Sequence, residues 1–180
     1  TGAADPESRD DIRQNAALTL RTLDRIVSLQ DYEDFARAFS GITKALATWT
    51  WNGQQQGVLI TVAGPDGAVV AEGTMLYDNL VNAIRTFGDP FIPLGVASYR
   101  PAFFKVAAKI KIAFGYTQEI VLQAIQDRLR NAFSFAARNF GQPVVLSEVI
   151  AEMQDVAGID ALTVTQLYRL DDDPTAPLPA

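Results

Sequence analysis

Apolar side chains recur at two different spacings along this chain, and the alternation between the two spacings predicts a mixture of helices and strands. In residues 28–39, 74–87 and 117–140 they recur every three or four positions, as on a helix with one buried face. Residues 42–51, 57–62, 104–114 and 159–170 alternate or run continuously, which is typical of strands. The pattern predicts an α+β fold with two small α/β sandwich subdomains, whose helices pack on mostly antiparallel sheets.

Residues that start and stop helices mark several of these boundaries. Ser28 and Asp31 form the pattern of a capping box, in which a hydroxyl and a carboxylate bond the first free amides of a helix. Gly41 is the expected stop of that helix, and Thr117 and Ser147 are expected to cap two later ones. The segments 42–51 and 57–62, joined by a short polar loop, predict a hairpin.

Three prolines place a boundary near the middle of the chain. Pro90, Pro93 and Pro101 restrict any strand there to a short piece around residues 95–99. We predict an extended lead-in over residues 1–27, a first subdomain over 28–92, a second over 93–170 and a solvated tail over 171–180.

Composition removes several classes of chemistry. The 180 residues include no Cys and no His, so the chain itself holds no thiol nucleophile, Cys/His zinc site or Ser-His-Asp triad. The net charge of −6 argues against a general binder of nucleic-acid phosphates. Because no apolar run approaches about 18 residues, we expect no membrane insertion. The chain begins without Met, and we expect it to be part of a longer protein.

Carboxylates are the remaining acid or base candidates, and we expect none of them to be catalytic. Asp31, Glu33 and Asp34 stand near a helix start, where adjacent side chains point in different directions and capping is the simpler role. Residues 171–173 are all Asp but lack the Gly and distal Glu of a calcium loop. We therefore predict no metal, no cofactor and no enzyme activity.

Two surfaces are candidates for binding. Lys105, Lys109 and Lys111 line one face of a predicted strand, and we prefer a solvated face there to a nucleic-acid site. Trp49 and Trp51 share one strand face, and either an interface hot spot or core packing under a helix explains them.

Several stretches in a fixed order resemble one known family. They are residues 5–7, 13–27, 28–36, 39–45, 57–62, 147–150 and 156–162. The most specific block runs from Leu20-Arg-Thr to Asp31-Tyr-Glu. Together, residues 5–170 resemble the C-terminal part of the baseplate J-like family of contractile phage tails and contractile injection systems.

The resemblance implies a structural wedge subunit of a baseplate. Its expected partners are wedge, hub or sheath-adjacent proteins and further copies of itself, with no nucleic acid. Such a subunit is expected to assemble in the bacterial cytoplasm into a virion tail or injection particle. The alternative is a carboxylate-dependent hydrolase or ligand-binding module carried on such a particle. Matched or exposed positions give the candidate interaction residues, which are Leu20, Arg21, Thr22, Arg25, Asp31, Tyr32, Trp49, Trp51, Lys105, Lys109 and Lys111.

Overall fold

A computed structural model describes residues 26–51 and 53–170 of the chain. It divides into two compact units, Thr1–Tyr99 and Arg100–Ala180. Both units combine helices with a small sheet, which confirms the predicted α+β class.

The first unit is a three-stranded sheet with two helices. Its elements in chain order are α1 (Leu29–Ala38), β1 (Lys44–Trp51), β2 (Gln56–Ala63), α2 (Met75–Phe87) and β3 (Leu94–Ser98). The strand order is β1-β2-β3, with β1 antiparallel and β3 parallel to β2. The predicted hairpin is therefore confirmed, and α2 supplies the crossover that a parallel pair needs.

The core of the first unit lies where the helices meet the central strand. Val58, Ile60 and Val62 of β2 are fully buried, as are Leu80 and Ile84 of α2. The two α2 residues are four positions apart and so lie on one face of the helix. This core fixes the helices against one another and positions β1 beside α1.

The second unit is built on a two-stranded antiparallel sheet. Its elements are β4 (Phe104–Ile112), α3 (Gln118–Ala132), α4 (Leu146–Gln154) and β5 (Ile159–Arg169). The predicted alternation of β4 is confirmed, since its even-numbered residues pack towards the core and its lysines are exposed. Val121 and Ile125 of α3 and Val149 and Met153 of α4 form the centre of the core.

The observed units divide seven residues later than the predicted subdomains. The predicted boundary follows residue 92, whereas the units divide after Tyr99. The intervening segment contains β3, whose parallel pairing with β2 joins it to the first unit.

Three helix ends differ from the predicted ones. The first helix ends at Ala38, and Gly41, with φ of 91°, forms the turn that follows it. The long helix ends at Ala132, where the sequence predicts continuation towards residue 140; a turn begins there, and the Ser134 hydroxyl donates to the Asn131 carbonyl at 2.9 Å. Ser147 lies inside α4, and Val145 occupies the N-cap position.

Candidate functional site

Asp31 is used by the fold of α1. Its Oδ2 accepts hydrogen bonds from the amides of Ser28 at 2.8 Å and Val27 at 3.1 Å, and the Ser28 hydroxyl accepts from the Asp31 amide. The predicted capping box is confirmed. These bonds, led by the Ser28 amide, hold the pKa of Asp31 below its ordinary value.

The next candidate, Tyr32, lies in the core of the first unit. It is only 3% exposed. Burial is the main cause of a raised pKa for its hydroxyl, and the negative charge of Asp89 adds to it. Only a small part of this side chain is accessible to a partner.

The other two carboxylates of α1 also make structural contacts. Glu33 Oε1 accepts a hydrogen bond from the Ala47 amide of β1 at 3.0 Å. Asp34 is buried and pairs with Arg37 at 2.6 Å. Glu33 also lies 3.7 Å from the Arg37 guanidinium, so Arg37 joins Glu33 and Asp34. All three carboxylates are therefore engaged in contacts that hold α1 in place.

A cleft of about 330 Å³ in the first unit lies beside the loop after α2. Its lining includes Tyr32, Arg85, Asp89 and Pro93. Asp89 is the one carboxylate among the lining residues, and its Oδ1 accepts from the Phe91 amide. The lining residues therefore do not include the pair of carboxylates that a glycosidase requires.

Trp49 and Trp51 are exposed at the far end of β1. They are 47% and 67% exposed, although they share a strand face with buried Ala47. The sequence left two interpretations of these tryptophans open, an interface or core packing under a helix. Their exposure shows that they are not packed in the core. The two indoles lie on the same face of an edge strand, and we call these two residues the tryptophan surface.

The lysines of β4 form a second exposed surface, here called the lysine face. Lys111 pairs with Asp160 of β5 at 2.5 Å, and this hydrogen bond raises the pKa of Lys111. Lys105 and Lys109 are exposed and form no ion pair with a carboxylate of the described residues. The four remaining candidates, Leu20, Arg21, Thr22 and Arg25, lie outside the described residues.

The described residues show neither a cluster of metal ligands nor a membrane-spanning helix. Residues 26–51 and 53–170 contain no group of three or more acidic side chains placed to hold a metal ion. Within the same ranges, no helix has the length and apolar character needed to span a bilayer.

Comparison with known proteins finds a family model that is similar to most of the first unit. Residues 24–97 match the family model described as the Baseplate J-like central domain. This segment runs from before α1 to β3 and includes the tryptophan surface.

The match covers 74 of the 180 residues, and it shows what this part of the chain is similar to.

The family matched is the one that the sequence resembles, but the part differs. Residues 5–170 resemble the C-terminal part of the family, whereas the model that matches residues 24–97 is that of the Baseplate J-like central domain. No curated protein matches the chain.

A solved structure extends the likeness beyond the Baseplate J-like central domain. The chain is similar to one from the "Cryo-EM structure of the anti-feeding prophage (AFP) baseplate, 6-fold symmetrised", with a TM-score of 0.65 and 12% identity. The match covers 93% of this chain and 39% of the other. At that identity the similarity concerns the fold, and it includes both units.

Proposed function

We propose that this chain is a structural component of the baseplate of a contractile phage tail or contractile injection system, and that it acts by binding other proteins. The match of residues 24–97 to the Baseplate J-like central domain carries this proposal. The similarity in fold to a chain of the AFP baseplate supports it over most of the second unit as well.

The proposal also covers the binding partners and the cellular location of assembly. The partners are wedge, hub or sheath-adjacent baseplate proteins and further copies of the chain, assembled in the bacterial cytoplasm into a tail or injection particle. The tryptophan surface supports a binding role, because tryptophan is among the residues that contribute most to interface energy. An assembly role also requires no catalysis, which agrees with the structural use of Asp31, Glu33 and Asp34.

Co-expression tests the proposal. The chain is produced with each candidate baseplate protein encoded beside it, and the products are analysed by pull-down and by size-exclusion chromatography with light scattering. We expect a defined complex with at least one such protein or a defined oligomer of the chain. A monodisperse monomer that captures none of them would contradict the proposal.

A further inference from the structure

On each edge strand of the first unit, a side chain of the same unit bonds one outward backbone group. On β1, the Ala47 amide donates to Glu33 of α1. On β3, the Val96 carbonyl accepts from the Tyr77 hydroxyl of α2 at 3.1 Å. Such contacts blunt the tendency of edge strands to pair with other chains.

The edge of β4 in the second unit is built differently. Its sheet contains two strands within the described residues, so β4 pairs on one side with β5. At the ends of this pairing, Leu170 donates its amide to Phe103 at 2.8 Å and Ala113 donates its amide to Gly158 at 2.9 Å. Between the ends, the Thr165 hydroxyl donates to the Ala107 carbonyl at 3.1 Å. The two register shifts of the pairing skip Thr165 and Asp160 of β5, so the odd-numbered residues of β4 face β5 along the whole strand and the backbone groups of the even-numbered ones point away from it.

The same even-numbered residues line an apolar groove. Ala108, Ile110 and Ile112 of β4 and Gln118 and Leu122 of α3 enclose about 370 Å³ of open space. These strand side chains are only half-buried.

The groove is open over one half of β4 and closed over the other. At the start of the strand, the Phe133 ring packs edge-on against Phe104 with centroids 5.1 Å apart. Within residues 26–51 and 53–170, the outward backbone groups of Val106, Ala108 and Ile110 bond to no other element, and they lie beside space for small apolar side chains.

The opposite face of β4 carries positive charge, which favours acidic side chains on any strand that pairs with it. Lys105 and Lys109 are exposed there, and Lys111 is the one paired across to Asp160. A strand added beside β4 would place every second side chain next to these lysines, and its other side chains over the groove.

We propose that the outer edge of β4 binds an extended strand of a protein partner in which acidic residues alternate with apolar ones. The partner adds a third strand to the sheet, its apolar side chains fill the groove, and its carboxylates pair with Lys105 and Lys109. Strand addition of this kind gives affinity through main-chain bonds and specificity through alternate side chains. The proposal deepens the proposed function and rests on it for the nature of the partner, another protein of the particle.

Charge also argues against a second copy of β4 as the occupant. Antiparallel pairing of two β4 strands would bring the lysines of one strand close to those of the other, and like charges across a strand pair are destabilising. The lysine face thus favours an acidic strand while it opposes self-pairing.

A synthetic peptide tests the proposal on the intact chain. The probe is a fluorescein-labelled nine-residue peptide in which valine alternates with glutamate, and binding is followed by fluorescence anisotropy up to millimolar peptide. We expect saturable binding, and none by a peptide in which lysine replaces glutamate. Equal binding of the two peptides, or no binding of the first, would overturn the proposal.

Backbone pairing is tested separately from charge attraction. Two further peptides carry N-methyl groups, one on the valine amides and the other on the glutamate amides. In an antiparallel pair the valine amides face β4, and in a parallel pair the glutamate amides do. We expect one methylated peptide to lose binding and the other to retain it; retention by both would mean adsorption on the lysine face and would refute strand addition.

Hydrogen exchange and charge reversal locate the peptide. The outward amides of Val106, Ala108 and Ile110 should exchange more slowly when the valine/glutamate peptide is bound. The variant K105E/K109E should bind this peptide about tenfold more weakly, because two opposite-charge pairs become like-charge pairs. The matched control R100E/R130E reverses two exposed cations elsewhere in the unit, and it should change affinity less than twofold.

The outcome separates this inference from the proposed function. If the chain joins a baseplate complex but no peptide protects the β4 amides, the strand-docking proposal is wrong and the assembly function stands. If the peptide binds as expected and no baseplate protein is captured, the assembly function fails and the strand site remains.

Discussion

Replacing Trp49 and Trp51 with alanine should weaken assembly while leaving the first unit folded, because 47% and 67% of these residues is already exposed to solvent. At about 200 Å² per tryptophan, those fractions leave about 230 Å² for a partner to cover. Full burial of that area would contribute at most about 6 kcal/mol at about 25 cal/mol per Å². Incomplete burial and the ordering of side chains reduce the gain, so we expect a loss of about 2–4 kcal/mol.

This loss is large enough to measure. It corresponds to about 30-fold to about 1,000-fold weaker binding. The assay is isothermal titration of the chain with whichever baseplate protein it captures, or light scattering across a dilution series where the partner is a second copy. Thermal unfolding of the same samples checks that the fold is intact.

The control lies on the same strand. Thr48 and Thr50 are exposed on the opposite face of β1 from the two tryptophans, so T48A/T50A perturbs the strand without touching the tryptophan surface. We expect this variant to bind within about twofold of the parent. If W49A/W51A also stays within that range, the tryptophan surface is not the interface.

Three further predictions concern stability, each measured by denaturant unfolding. Asp31→Ala should cost about 1 kcal/mol of unfolding free energy at pH 7. Because the folded pKa of Asp31 is lowered from 3.8, its carboxylate stabilises the fold fully above pH 3.8, and this cost should shrink as the pH falls through the folded pKa. A cost that stays constant over the whole acid range in which the chain remains folded would refute the capping role. Gly158→Ala should lower the free energy of unfolding by about 1–3 kcal/mol more than Gly115→Ala. Both glycines have positive φ, but only at Gly158 would a new Cβ lie 2.5 Å from the ring of Tyr116. Equal losses for the two variants would contradict that crowding. Leu80→Ala should lower the free energy of unfolding by about 3–5 kcal/mol, because Leu80 is fully buried. Met75 lies on the same helix and is 83% exposed, so Met75→Ala should cost about 0.5 kcal/mol or less. A small loss for Leu80→Ala would contradict the position of the core.

Local signals in the sequence predicted the elements that local chemistry determines. The capping box of Ser28 and Asp31 depends on residues three positions apart, and the structure has it. The alternation of β4 depends on neighbours two positions apart, and Lys105 and Lys109 do lie on its exposed face. Family resemblance in residues 28–36, 39–45 and 57–62 pointed to the family that residues 24–97 match.

Features that depend on distant contacts could not be predicted in the same way. The parallel pairing of β3 with β2 joins segments about 36 residues apart, and nothing in the sequence of β3 specifies its partner strand. The end of α3 at Ala132 depends on turns after it, where Arg138 bonds Glu148 and the Pro143 carbonyl. Helical periodicity alone would continue the helix, because Phe133 still fits the apolar stripe.

The same distinction explains why the candidate surfaces differ between the two units. The exposure of a strand edge is decided by which side chain from elsewhere reaches it, and Glu33 reaches Ala47 across 14 positions of sequence. A sequence pattern shows that both β1 and β4 alternate, but not that α1 covers part of one edge while α3 leaves a groove beside the other. The protection of the β4 edge therefore comes from its lysines. Positive charge repels another positively charged strand, but it attracts a negatively charged one. An edge protected in this way can therefore resist self-association and still accept an acidic partner strand.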